Sequence, residues 1–187
     1  MDEPVAGIGG ISDTLGDRAV DLKALEAAGL IESGTNVLTD FGFRSVRVSD
    51  RPADELALDA LRDLLDAHQI EAESVDGLIY AGAIPQSHRV TDGSHLEGFN
   101  YPVARLQYEC GLTNAITLGV AETGCTGLMA AVALAADHLA AHPLARRMIC
   151  VSSDVLPGNW TREIIYNVVS AGAFAHLIFL TCSFSSG

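Results

Sequence analysis

The chain has 187 residues, of which 49% are hydrophobic, and its formal net charge is −13 at pH 7. This length and this hydrophobic content predict one folded domain with a substantial core, and they exclude an intrinsically disordered chain. The negative charge, which no basic patch offsets, excludes non-specific binding to nucleic acid.

The four cysteines show no C-x-x-C spacing. We therefore expect free thiols and a cytoplasmic location rather than a zinc site or a disulfide framework. The first four residues, Met-Asp-Glu-Pro, are acidic and lack the apolar run of a signal peptide. Charged residues interrupt the longest apolar stretches, so we expect no membrane span.

The first 81 residues alternate short apolar runs with helical patterns. A glycine-rich strand is predicted at residues 5–11, and its G-x-G-G pattern lacks the spacing of a dinucleotide-binding loop. Residues 21–28 predict a short helix with Asp21 as its N-cap and Gly29 just beyond its end. A clear amphipathic helix is predicted at residues 53–68, followed by a buried strand at 75–81.

The polar segment 84–100 contains one proline and two glycines and predicts a long loop. Its two histidines, His88 and His95, have no third ligand nearby, so we expect no metal site. A helix is predicted at residues 102–110, with Pro102 in its first turn.

Residues 115–141 contain, in order, an apolar run, a turn bounded by glycines and a long alanine-rich segment that predicts a helix. The run predicts a buried strand. Cys125 lies in the turn, where the N–H groups and dipole of a helix N-terminus favour a thiolate and an oxyanion. By its spacing alone, the pattern fits a nucleophile and a small buried cysteine about equally well.

The remainder of the chain predicts a strand at residues 148–153, a loop at 154–160 and a last strand-rich stretch at 166–180. His176 lies in an apolar run of that stretch, which is typical of a packing histidine. We expect residues 181–187 to form an irregular tail to a single domain, 1–187.

Four segments resemble, in order, the ketoacyl synthase III (3-oxoacyl-ACP synthase III-like) family of the thiolase superfamily. The segment ETGCTGLMAAVALA around Cys125 is similar to the active-site segment of that family. The others are FGFRSVRVSDR at 41–51, VDGLIYAG at 75–82, and MICVSSD at 148–154 followed by YNVVSAGA at 166–173. The resemblance covers nearly the whole chain but only the N-terminal half of the family's length.

This resemblance implies an α/β, thiolase-like fold: a mixed, mostly parallel sheet with helices on both faces, forming one half of a five-layer αβαβα arrangement. It also implies acyl transfer, in which Cys125 accepts an acyl group from an acyl thioester and passes it on by condensation or ester-forming transfer. The donor would be acyl-coenzyme A or the phosphopantetheine of an acyl carrier protein, acting as a substrate rather than a cofactor.

The family's catalytic histidine and asparagine lie in its second half, and no position here matches their motifs. The alternative is therefore a catalytically incomplete half-subunit, acting as a structural partner of a complementary or full-length synthase. The resemblance implies a homodimer or such a complementary half as the partner.

The resemblance and the residue chemistry give candidates for substrate binding near the predicted loops 84–100 and 154–160. In the family, the 84–100 region reaches the acyl pocket of a neighbouring subunit, which makes Phe99 and Tyr101 candidates. Trp160 and Arg162 are candidates for the mouth of the site.

Two further candidates are charged. Arg44 is a candidate contact for phosphopantetheine or for an acidic carrier protein, although a solvated or ion-paired arginine fits equally well. Glu122, three residues before Cys125, fits a role in structure or substrate shaping better than a role as general base, because its charge would raise the pKa of the Cys125 thiol.

Overall fold

A computed structural model describes residues 5–83, 89–90, 98–99, 101–121, 123–156, 158–164 and 167–181. The strands are β1 (Val5–Leu15), β2 (Arg18–Asp21), β3 (Ser45–Val48), β4 (Gly77–Ala81), β5 (Arg89–Val90), β6 (Gly98–Phe99), β7 (Ile116–Val120), β8 (Arg147–Asp154), β9 (Glu163–Ile164), β10 (Asn167–Val168) and β11 (Gly172–Thr181). The α-helices are α1 (Leu22–Ala27), α2 (Thr35–Asp40), α3 (Ala53–Ala67), α4 (Pro102–Glu109) and α5 (Gly127–Ala141).

Five strands form the central sheet in the order β1-β11-β8-β4-β7. Strand β4 pairs in parallel with both β7 and β8, whereas β11 pairs antiparallel with β8 and with β1. Four of these five strands therefore run in one direction and β11 opposes them. The mixed, mostly parallel sheet is confirmed.

The two faces of the sheet carry different helices and separate cores. Because side chains alternate along a strand, β8 sends Ile149 and Val151 into the core under α3 and α4, and Met148 and Cys150 into the core under α5. The amphipathic helix predicted at 53–68 is confirmed as α3. The arrangement with helices on both faces is confirmed as well.

Strand β7 is confirmed in position, but the prediction that it is buried is wrong. Its side chains Ile116 and Leu118 are exposed. The reason is that, among the described strands, β7 lies at the edge of the sheet and pairs with β4 alone. An apolar run rich in β-branched residues occurs in both central and edge strands, so it does not predict which of the two a strand is.

A small satellite core lies beside the sheet. The antiparallel pair of β2 and β3, together with α1 and α2, buries Leu22, Leu25, Leu38 and Val46. The N-cap of α1 is confirmed, since the Asp21 side chain accepts a hydrogen bond from the Ala24 N–H at 2.7 Å. The glycine expected just beyond α1 is confirmed too: Gly29 has φ +68°.

Helix α5 is apolar on its outer side. The segment Gly124–Ala141 has a mean hydropathy of 1.4, enough by length and composition to cross a membrane, a test that core helices of soluble proteins also pass. Exposed apolar side chains on the α5 side of the sheet, away from the cavity described below, form what we call the open face: Ile11 of β1, and Met129 and Leu134 of α5. No described element covers them.

Candidate active site

A cavity of about 560 Å³ lies where several strands of the sheet end. The carboxyl ends of β1, β4 and β8 meet there with the start of β11 and the turn before α5. Crevices at the carboxyl ends of strands are the usual ligand sites of α/β sheets. The lining of the cavity is mostly apolar and includes Leu15, Trp160, Ile164 and Phe174.

Cys125 lies on the wall of this cavity, in a 3₁₀ turn (Gly124–Thr126) that leads directly into α5. Its side chain is exposed and its thiol is free. The thiol therefore lies at the N-terminal end of a helix, where unpaired backbone N–H groups stabilise negative charge.

Two glycines allow the backbone to make this turn. Gly124 has φ +53°, a left-handed conformation that side chains with a Cβ rarely adopt. A Cβ on Gly127 would lie 2.9 Å from Thr123 Oγ1 and 3.4 Å from Ala81 Cβ, so Gly127 lets α5 begin close to the end of β4. The sequence pattern that located the turn thus reflects two steric requirements.

The end of β8 supplies polar groups to the cavity: Ser152, Ser153 and Asp154. The Asp154 carboxylate accepts a hydrogen bond from the Ala83 N–H at 3.2 Å, which ties the end of β8 to the end of β4. The Tyr80 hydroxyl lies 2.8 Å from Ser153 Oγ, and burial raises the pKa of Tyr80.

Sequence reasoning missed these polar residues as site components. The available signal was their position immediately at the carboxyl end of the predicted 148–153 strand.

The structure brings together Cys125 and Trp160, which line the same cavity. It places Arg162 elsewhere: the residue is 3% exposed, its guanidinium donates a hydrogen bond to the Leu156 carbonyl at 3.1 Å, and it is not part of the cavity lining. The prediction that Arg162 lies at the mouth is therefore wrong. Burial lowers the pKa of its guanidinium.

Of the other candidates, only Tyr101 and Arg44 have described side chains, and neither lines the cavity. Tyr101 is 66% exposed at the start of α4, and Arg44 is exposed before β3, in agreement with the solvated alternative. Phe99 lies in β6, but its side chain is outside the described residues, as is all of Glu122. Among the described residues, no group of three His, Cys, Asp or Glu side chains is placed to hold a metal ion.

No protein-family model matches the chain, and no curated protein matches its sequence. Solved structures do match. The acyltransferase ChlB3 is similar with a TM-score of 0.77 and 21% identity, over 96% of this chain and 51% of its own. The 3-oxoacyl-[acyl-carrier-protein] synthase III from Aquifex aeolicus matches with a TM-score of 0.73 and 16% identity, over 93% of this chain and 53% of its own.

The HMG-CoA synthase PksG from Bacillus subtilis also matches, with a TM-score of 0.72 and 16% identity, over 94% of this chain and 41% of its own. The chain thus has the thiolase-type fold of the ketoacyl synthase III structures, which confirms the predicted fold. It spans about half the length of the structures it matches. At these identities the likeness concerns the fold.

Proposed function

We propose that the protein is an acyltransferase of the ketoacyl synthase III type, with Cys125 as the acyl-accepting nucleophile. The observation that carries this proposal is the exposed thiol of Cys125, held at the start of α5 on the wall of a mostly apolar cavity of about 560 Å³. Its fold relatives include an acyltransferase and 3-oxoacyl-ACP synthases.

The half-reaction is a thioester exchange. The Cys125 sulfur attacks the carbonyl carbon of the donor and forms a tetrahedral oxyanion, which the Cys125 backbone N–H stabilises. The carbon–sulfur bond to the donor then breaks, and the proton from the Cys125 thiol leaves with the donor thiol. An acceptor later takes the acyl group, by condensation or by ester formation.

The donor in this proposal is acyl-coenzyme A or an acyl carrier protein, and no further cofactor takes part. The apolar wall of Leu15, Ile164 and Phe174 suits a hydrocarbon acyl chain, because burying each methylene is worth about 0.8 kcal/mol. We propose a homodimer or a complementary half as the assembly, and a cytoplasmic location.

The test is intact mass measurement after incubation with a panel of short acyl thioesters. We expect a mass gain equal to one acyl group in the wild-type chain and in Cys110→Ala, a matched control for a half-buried thiol. The gain should be absent in Cys125→Ala. Loading that persists in Cys125→Ala would contradict the assignment of the nucleophile.

The second candidate is a catalytically incomplete half-subunit that serves as a structural partner of a complementary or full-length synthase. The open face favours it, since Met129 is 70% exposed and Ile11 57% exposed on a surface that nothing described covers. The same experiment separates the two candidates. If no donor loads Cys125 while iodoacetamide still labels it, the partner role is supported.

A further inference from the structure

One wall of the cavity is attached to a remote part of the chain. Residues 158–164, which we call the mouth segment, contribute Trp160, Thr161 and Ile164 to the lining. The Arg162 N–H donates a hydrogen bond to the Leu30 carbonyl at 2.7 Å, and the Thr161 hydroxyl donates to the same carbonyl at 3.3 Å. The mouth segment therefore rests on the loop between α1 and α2.

Glu163 makes the strongest of these attachments. One carboxylate oxygen, Oε2, accepts hydrogen bonds from the N–H groups of Glu32 at 2.7 Å and Ser33 at 2.8 Å. The other, Oε1, accepts one from the Ser33 hydroxyl. These donors lower the pKa of the Glu163 carboxyl from its usual value, with the Ser33 hydroxyl as the largest cause. Hydrogen bonds to an ionised acceptor are roughly twice as strong as neutral ones.

We propose that Glu163 is a positioning residue that clamps the mouth segment onto residues 32–33 and so fixes Trp160 and Ile164 as the cavity wall. Glu163 itself does not line the cavity, so it acts through its neighbours in the chain. Its effect on acyl binding rests on the proposed function, whereas its effect on the wall does not.

The chain offers a matched control in Glu26. This carboxylate makes the same kind of contact, accepting hydrogen bonds from the Thr35 N–H at 3.3 Å and from the Thr35 hydroxyl at 2.5 Å. Glu26 ties α1 to the start of α2 and does not line the cavity. A change there perturbs the same small unit without releasing the mouth segment.

Trp160 is the single tryptophan of the chain, so its fluorescence reports on the mouth segment directly. We expect Glu163→Gln to increase acrylamide quenching and to shift the emission to the red, because the glutamine side chain has no charge and brings its own N–H donors against Glu32 and Ser33. Glu26→Gln should behave as the wild type. Wild-type quenching in a folded Glu163→Gln variant would overturn the proposal.

Circular dichroism establishes whether each variant folds. If Glu163→Gln does not fold, Ser33→Ala serves instead, since it removes one of the three donors and leaves the carboxylate in place. We expect Ser33→Ala to raise quenching by a smaller amount. Unchanged quenching in Ser33→Ala would then overturn the proposal.

The functional readout is the dependence of Cys125 loading on donor concentration. We expect Glu163→Gln to raise the half-saturating concentration about tenfold with the maximal rate within about twofold, because the wall that positions the acyl chain is loosened. An equal loss in Glu26→Gln would indicate a general structural effect and contradict the clamp. If the wild type does not load at all, the proposed function fails, while the fluorescence result still decides the role of Glu163.

Discussion

Cys125 differs from the other described cysteines in its surroundings. Burial raises the pKa of the Cys110 thiol to about 11 and that of Cys150 to about 12, and Cys150 is completely buried under α5. Cys125 is exposed on the cavity wall. A cysteine attacks mainly as its thiolate and only where reagents can reach it. We therefore expect Cys125 to be the most reactive of the described cysteines.

This contrast predicts the order in which the thiols react. We expect iodoacetamide at pH 8 to alkylate Cys125 well before Cys110 and Cys150, whose thiols stay protonated until the pH approaches their raised pKa values. Peptide mass mapping over time measures the rates. In denaturant, where burial is lost, the rates should converge. Equal rates in the folded protein would contradict the arrangement of the three thiols.

The sequence identified some side chains of the candidate site, misplaced others and missed others. Cys125 was found because a strand, two glycines and a helix produce a recognisable pattern around it. Arg162 was misplaced because the mouth segment has no repeating period, so nothing in its sequence says which side chain turns inward. Asp154 was missed although it follows a predicted strand directly, because the hydrogen bond to Ala83 that fixes its side chain joins residues distant in the chain.

Elements with local signals were predicted well, and elements that depend on distant partners were not. Helix α3 shows its apolar stripe within its own 15 residues, and its predicted bounds hold to within one residue. The antiparallel pair of β2 and β3 went unrecognised because α1 and α2 lie between the two strands in the chain. Its pairing is visible only in three dimensions.

The junction between β1 and β2 yields a test of close packing. A Cβ on Gly16 would lie 2.8 Å from the backbone carbonyl of Val48 and 3.0 Å from Ala171 Cβ. Backbone atoms yield less easily than side chains, so we expect Gly16→Ala to lower the free energy of unfolding by about 1–3 kcal/mol. Urea denaturation measures the difference.

Gly119 is the matched control, because a Cβ there meets nothing within 4 Å. We expect Gly119→Ala to stay within about 0.5 kcal/mol of the wild type. Similar losses in both variants would show that Gly16 is not closely packed against Val48 and Ala171.

At the scale of the whole molecule, the open face bears on how the chain associates. The solved structures of this fold that the chain matches are about twice as long as the matched part. We expect the isolated 187-residue chain to self-associate through the open face, since large exposed apolar patches on soluble proteins usually mark interaction sites.

A charged residue on the open face tests this association. We expect Met129→Glu to lower the self-association measured by sedimentation velocity over a range of concentrations, because a carboxylate resists burial in an apolar contact. Leu144→Glu is the control, since Leu144 is 93% exposed outside the open face. Association of Met129→Glu at the wild-type level would assign the contact to another surface.

The strand order of the central sheet has a consequence for synthesis. Strand β1 is the first described strand, and its only described partner is β11, the last strand that the structure describes. On the ribosome, β1 therefore waits without a partner until nearly the whole described chain has been made. Pairing over such a separation is slow, and an unpaired strand edge is a template for other chains. We therefore expect nascent chains to be most prone to aggregation, and most in need of chaperones, between the translation of β1 and that of β11.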